Sequence, residues 1–276
     1  AMITRQRKAT AGVKSSAGIT TPVTPAQPRV SICVLPFSNM SGDLEQEYFS
    51  DGISEDIITD LSKVSALAVV SRNTAFTFKG KNVDLPQVAR QLKVNYVLEG
   101  SVRRAGGRVR ITAQLIEASS DNHLWAERYD RDLNDIFALQ DEISEAIVKA
   151  LRLKLLPEEK KAIEQRGTTN LQAYNLYLMA RQRYATGQMS DARRSDTVIR
   201  LCRGAIELDP NYARAWALMA TAQRHRMYAT GQGDNGSVAA ARAIELDANL
   251  AEAHAAKAGV HAAAGDYGAA EEELAI

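Results

Sequence analysis

A polar and basic cluster, Ser71-Arg72-Asn73 with Lys79 and Lys81 behind it, follows the apolar run Leu67 to Val70. If that run is a strand of an open α/β sheet, the cluster lies beyond its carboxyl end, where such sheets receive ligands. Ser71, Arg72, Asn73 and Lys79 therefore form a candidate anion site. The plainer reading, which the sequence favours, is a strand exit capped by Asn73 and flanked by solvated lysines. Asp43, Glu45, Glu47, Asp51, Glu55 and Asp56 invite a calcium or acid/base reading. They lack the spacing of an EF-hand, and acids gather at a helix start because the helix dipole favours them there. The four histidines, His123, His225, His254 and His261, are scattered, as are Cys33 and Cys202. His254 and His261 can share one helix face, but groove-lining or packing explains them better than a metal does. Gly100, Gly106 and Gly107 are followed by no Gly-Lys-Ser/Thr, and no Gly-x-Ser-x-Gly elbow occurs. The sequence thus predicts no catalytic constellation, no metal and no cofactor.

The elements that must hold these residues begin after a linker. Residues 1–29 are rich in Gly, Ser, Thr and Pro, and Arg5, Arg7, Lys8 and Lys14 make them basic. Such composition reads as a solvated tether. Val30 to Leu35 is a nearly continuous apolar run ended by Pro36, the pattern of a strand covered on both faces. A helix capped by Ser50 or Asp51 follows, with Ile53, Ile57, Ile58, Leu61 and Val64 on one face. With Leu67 to Val70 as the next strand, the order implies a right-handed crossover and parallel pairing. Asp84 and Pro86 open a short helix. Asn95 to Arg104 and Arg108 to Glu117 flank Gly106-Gly107, a pair suited to a tight hairpin. His123 to Tyr129 is the third strand of that meander, and a long amphipathic helix from Ile136 to Leu151 stops before Pro157. Arg103, Arg104, Arg108 and Arg110 crowd the hairpin tip. Charged hairpin ends discourage edge pairing, and too few aromatics interleave here for base stacking, so no direct nucleic-acid contact is expected.

Beyond Gly167 the strand signals vanish. The segment from Ala205 to Trp216 recurs as Ala243 to His254, which fits a hairpin repeat of about 34 residues with a small insertion near Gly231 to Gly236. The expected organisation is a linker (1–29), a mixed-sheet α/β domain (30–156), a connector (157–169) and an all-α helical-hairpin array (170–276). The motif register runs past Ile276, so the sequence ends within a repeat.

The second unit resembles a tetratricopeptide array. Trp216, Ala220, Ala258, Gly265, Tyr267, Ala270 and Leu274 stand where that motif wants aromatic, small, turn and large residues. Ala248 replaces its usual proline, and His254 and His261 occupy aromatic positions. The first unit resembles the TolB-like amino-terminal domain that bacteria attach to class III adenylate cyclases and winged-helix regulators. The resemblance rests on Val34-Leu35-Pro36-Phe37-Ser38-Asn39-Met40, Tyr48-Phe49-Ser50-Asp51-Gly52-Ile53, Tyr96-Val97-Leu98-Glu99-Gly100-Ser101 and His123-Leu124-Trp125-Ala126-Glu127-Arg128-Tyr129-Asp130. It implies a non-catalytic regulatory and interaction module whose partners include an amino-terminal catalytic or DNA-binding head. A TolB-like envelope protein is the alternative.

Stacked hairpins leave a concave groove built from the first helix of each pair, which binds peptides. Leu218, Gln223, Arg224, His254, Lys257 and His261 are its candidate lining, suited to an acidic or amide-rich partner. A net charge of +1 and a 24% charged share give no whole-chain field for nucleic acid or membranes. No apolar run reaches the ~18 residues of a membrane span. The expected location is cytoplasmic, or periplasmic if the parent protein is envelope-anchored.

Overall fold

The computed structural model describes residues 29–81, 83–165, 167–186 and 191–275. Strand β1 (Val30–Val34) leads through β2 (Ser38–Asn39) into helix α1 (Glu47–Ser62), then β3 (Leu67–Val69) and the short helices α2 (Arg72–Ala75) and α3 (Leu85–Leu92). Three long strands follow, β4 (Tyr96–Ala105), β5 (Arg108–Glu117) and β6 (Asn122–Asp132), and helix α4 (Ile136–Ala150) closes the unit. The sheet order is β3-β1-β4-β5-β6, with β2 beside β4. Pairing is parallel for β1 with β3 and with β4, and antiparallel from β4 through β6, as the strand-helix-strand order and the Gly106-Gly107 turn require.

One face of the meander is dry. Val109, Ile111, Ala113 and Leu115 are fully buried, whereas Arg110 is exposed and Thr112 and Gln114 are half-buried. This alternation follows from the two-residue period of a strand. Gly100 in β4 sits opposite Ala113. A methyl group there would lie 2.5 Å from the Thr112 carbonyl oxygen and 2.7 Å from the Phe37 ring. Because a backbone atom cannot yield, Gly100→Ala is expected to cost about 1–3 kcal/mol by overpacking, read as a lower urea midpoint at unchanged m-value. An unshifted midpoint would show that the strands slide apart without cost.

Helix α1 starts at Glu47, three to four residues before the expected Ser50 or Asp51 cap, because a short 3-10 turn capped by the Asp43 side chain feeds straight into it. Strand β6 extends through Asp132, past the expected Tyr129. After α5 (Pro157–Glu164) come three helix pairs: α6 (Leu171–Ala185) with α7 (Ala192–Leu208), α8 (Ala213–Thr230) with α9 (Ser237–Leu246), and α10 (Ala251–Ala263) with α11 (Tyr267–Leu274). The architecture is therefore a mixed-sheet α/β unit followed by a helical array. The linker lies almost wholly outside the described residues.

The repeated segment has a repeated geometry. Asp209 and Asp247 end α7 and α9 with nearly the same dihedrals, φ −145° and ψ 93° against φ −147° and ψ 97°. Each carboxylate accepts from the backbone N–H two residues on, Asn211 at 3.1 Å and Asn249 at 3.0 Å. Trp216 Nε1 then donates to the Pro210 carbonyl at 3.0 Å, and His254 Nε2 to the Ala248 carbonyl at 2.9 Å. Histidine thus keeps the ring N–H that ties the second helix back to the corner, which is why it can stand at an aromatic position.

The array has two small apolar clusters of its own, one around Val198, Cys202 and Met219 and one around Ala217 and Ala253, but its first helices also join the core of the sheet unit. The main apolar cluster runs from Ile32, Val97 and Ile111 through Ile53, Ile57 and Ile143 into Tyr174, Tyr177, Leu178, Tyr212 and Ala215. Helices α6 and α8 are thereby packed into the core of the sheet unit, across the expected 157–169 connector.

Candidate functional site at the joint of sheet and helices

Helix α1 carries two buried faces. Phe49, Ile53, Ile57 and Leu61 belong to the apolar core, and Asp51, Glu55, Asp56 and Asp60 run along the rest of the helix, also buried. At 3.6 residues per turn these acids form two rows, Asp51 with Glu55 and Asp56 with Asp60, whose nearest members, Glu55 and Asp56, stand about 100° apart. A buried charge needs a partner, and each of these has one. Glu55 is only 3% exposed and sits between two guanidinium groups, Arg72 Nε at 2.5 Å and Arg181 Nη2 of α6 at 2.6 Å. Lys79 Nζ meets Asp51 at 2.5 Å and Glu47 at 3.0 Å. Asp56 accepts from Gln140 of α4 at 2.8 Å and from the Tyr174 hydroxyl of α6, with Arg214 of α8 at 3.5 Å. Asp60 pairs with Lys63 at 3.0 Å.

Desolvation competes with these partners. Burial raises the carboxyl pKa of Glu55 although Arg181 and Arg72 pull it down, and it raises that of Asp51 against the pull of Lys79. Burial, followed by the charge of Asp56, holds the Tyr174 phenol well above its usual value, so it remains a donor. Closeness of the helices depends on Gly52, where a methyl group would come within 2.5 Å of a Leu178 methyl. Beside Glu55 lies a cavity of about 170 Å³ lined by Tyr48, Arg72, Phe76, Leu178 and Arg181. Its cations already face carboxylates.

These contacts decide what the sequence-level candidates do. Arg72 binds Glu55 and covers the Phe76 ring at 4.0 Å, and Lys79 binds Asp51 and Glu47. Ser71, not Asn73, caps α2, accepting from Thr74 N at 3.4 Å. Asn73 is exposed. The four residues therefore gather no free positive charge for an anion, because their cations point inward to α1. Cys33 and Cys202 are free and buried, and burial pushes the Cys33 thiol up to about 12. Among the described residues no cluster of metal-ligating side chains occurs.

The groove candidates lie at helix contacts. Leu218 is half-buried against the cores, and Gln223 is half-buried. Arg224 packs on Gly259 of α10, whose added methyl would lie 2.7 Å from Arg224 Nε, and its Nη2 is 3.0 Å from His225 Nε2. His254 and Lys257 both hold Glu273 of α11, at 2.7 and 2.5 Å. His261 is half-buried. Part of the inner face of α6 is occupied by α1, through Leu178 and Arg181. The row Tyr174, Arg181, Arg214 and Gln140 was not among the sequence candidates. A usable signal existed in the acids of α1, since their i,i+4 pairs continue well past the first turn, where a helix dipole no longer explains them.

Both ring nitrogens of His254 face acceptors, the Ala248 carbonyl and the Glu273 carboxylate. A neutral imidazole satisfies only one of them. These two contacts raise the His254 pKa above its ordinary 6.5, and Lys257 and His254 lower that of Glu273 below 4.5. The histidine contribution is therefore complete below pH 6.5 and lost as pH climbs through the raised value. That of Glu273 is complete above 4.5 and lost as pH falls. Amide protection of α11 is expected to decline from pH 6 to pH 8.5, and His254→Gln should flatten that decline. Equal slopes for both proteins would remove His254 from the coupling.

Residues 28–146 match the family described as HilA/YgeH-like transcriptional regulator, second domain. The chain is also 53% identical over 196 residues to Putative adenylate cyclase 3 of Rhizobium meliloti (strain 1021), a stretch covering 71% of this chain and 32% of that protein. It spans about a third of the length of that relative. Solved structures with a similar part include TolB from Acinetobacter baumannii (TM-score 0.35, 18% identity, 45% of this chain and 29% of that one). Another is lipoprotein GNA1162 from Neisseria meningitidis (TM-score 0.34, 19% identity, 45% of this chain and 98% of that one).

Proposed function

We propose that the chain is a non-catalytic regulatory and protein-interaction module of a bacterial signalling protein of the adenylate cyclase type. The observation that carries this reading is the joint. The carboxylates that could have served chemistry are closed by Arg181 of α6 and Arg214 of α8, so they couple the sheet to the helical array. Similarity to a protein named as an adenylate cyclase supports the signalling context. In this reading catalysis belongs to a separate head of the parent protein, α6–α11 are tetratricopeptide-type hairpins, and a protein or peptide partner uses the part of the array not covered by α1. The location is cytoplasmic. Among the described residues no helix is long and apolar enough to cross a membrane. A second reading, the effector part of a winged-helix transcription regulator, is favoured by the match over residues 28–146.

Purified protein is expected to make no cyclic nucleotide from ATP or GTP with magnesium or manganese, because a two-metal site needs paired carboxylates that are open to substrate. Robust turnover would overturn the non-catalytic assignment. For the regulatory part, Arg181→Ala with Arg214→Ala in the longer protein should change cyclase output. An unchanged output would exclude the joint from signalling.

A further inference from the structure

The sheet has two edges of unequal length. Strand β3 offers three residues and β6 eleven, well beyond the ~5–6 of a typical strand. A long open edge is a template for another strand, and proteins usually blunt it with proline, a bulge, a cover or charges that repel. Between Asn122 and Asp132 there is no proline or glycine, and the single irregularity in the β5 pairing lies at Leu115/Ile116, away from residues 126–132.

The charges on this edge have an order that attracts a copy of itself. Two identical antiparallel strands related by an axis normal to the sheet must face each other about a residue, since any other register sets inward side chains against outward ones. Centred on Tyr129, the sequence Glu127-Arg128-Tyr129-Asp130-Arg131 places Arg128 opposite Asp130 of the second copy and Glu127 opposite Arg131, each pair occurring twice. Centring on Glu127, Arg128 or Asp130 sets like charges against each other. The register with β5 puts Glu127 and Arg131, opposite buried Ala113 and Val109, on the helix side. Arg128 and Asp130, opposite Thr112 and Arg110, lie on the open side. Opposite-charge pairs directly across two strands stabilise pairing. The helix-side pair Glu127 with Arg131 leads, because Asp130 on the open side already accepts from Arg108 and Arg110 of its own sheet.

We propose that β6 is a self-association surface, on which a second copy of this chain adds its own β6 antiparallel about Tyr129 to continue the sheet. Sedimentation velocity of the whole chain over a concentration series should show a monomer–dimer equilibrium. Glu127→Arg alone and Arg131→Glu alone should each weaken the dimer at least ten-fold, since each sets like charges opposite each other twice. An equal mixture of these two variants should dimerise again, and so should the chain carrying both changes. That recovery separates the proposal from misfolding or from loss of the exposed Arg131–Glu142 contact. A chain monomeric at every concentration, or a dimer indifferent to the reversals, overturns it. Hydrogen exchange showing that the amides of residues 126–132 that point away from β5 are protected in a monomer would mean that the edge is already covered and equally overturn it.

Discussion

Glu55→Ala is expected to lower stability by about 3–5 kcal/mol, the usual cost of removing one partner from a buried ion pair. The carboxylate itself is unfavourably desolvated, as its raised pKa indicates. The loss comes from the two guanidinium groups left facing each other across the α1–α6 joint, Arg72 and Arg181, with side chains 29% and 25% exposed. Arg181→Ala should cost less, because Arg72 still neutralises Glu55. An exposed pair such as Arg131 with Glu142 gives the control, worth at most about 1 kcal/mol. Urea denaturation of the three variants orders them. A Glu55→Ala loss no larger than the control would mean that water reaches the joint and the carboxylate row holds nothing together.

The second large effect belongs to Tyr212. It is 2% exposed, among the largest fully buried side chains, and its ring meets that of Tyr177 at 5.1 Å. It also precedes α8 at the repeated corner and touches Gly167, where a methyl group would come within 2.9 Å of the ring. Tyr212→Ala should cost about 3–5 kcal/mol as a buried aromatic truncation, whereas Trp216→Ala, in a half-buried position, should cost less. If Trp216→Ala proved the more damaging in thermal melts, the array would be held by its own small clusters rather than by the core of the sheet.

Legibility of the sequence followed the solvent. Strands β1, β4 and β5 show themselves because their apolar residues are continuous or alternate with wet ones, and Ala205 to Trp216 recurs because both copies build one kind of corner. Helix α1 was harder to read. Its acids look solvated in one dimension, and only the cations of α6 and α8, far along the chain, show that they are buried. The same long-range pairing gives Arg72 and Lys79 carboxylate partners on α1, and gives His254 and Lys257 one on α11. Side chains whose partners lie within a few residues, such as Asp209 with Asn211, were within reach of pattern reading. Those whose partners arrive by tertiary packing were not.

The apolar core that passes without a break from the sheet into α6 and α8 has a mechanical consequence. A flexible tether would absorb a push on the array, but a packed joint transmits it, since interiors at crystal-like density deform little. Helix α8, 18 residues and therefore about 27 Å long, then acts as a rigid arm with its fulcrum at Tyr212. A small displacement at its far end, near Thr230, arrives at α1 and the sheet as a rotation rather than being lost along the way.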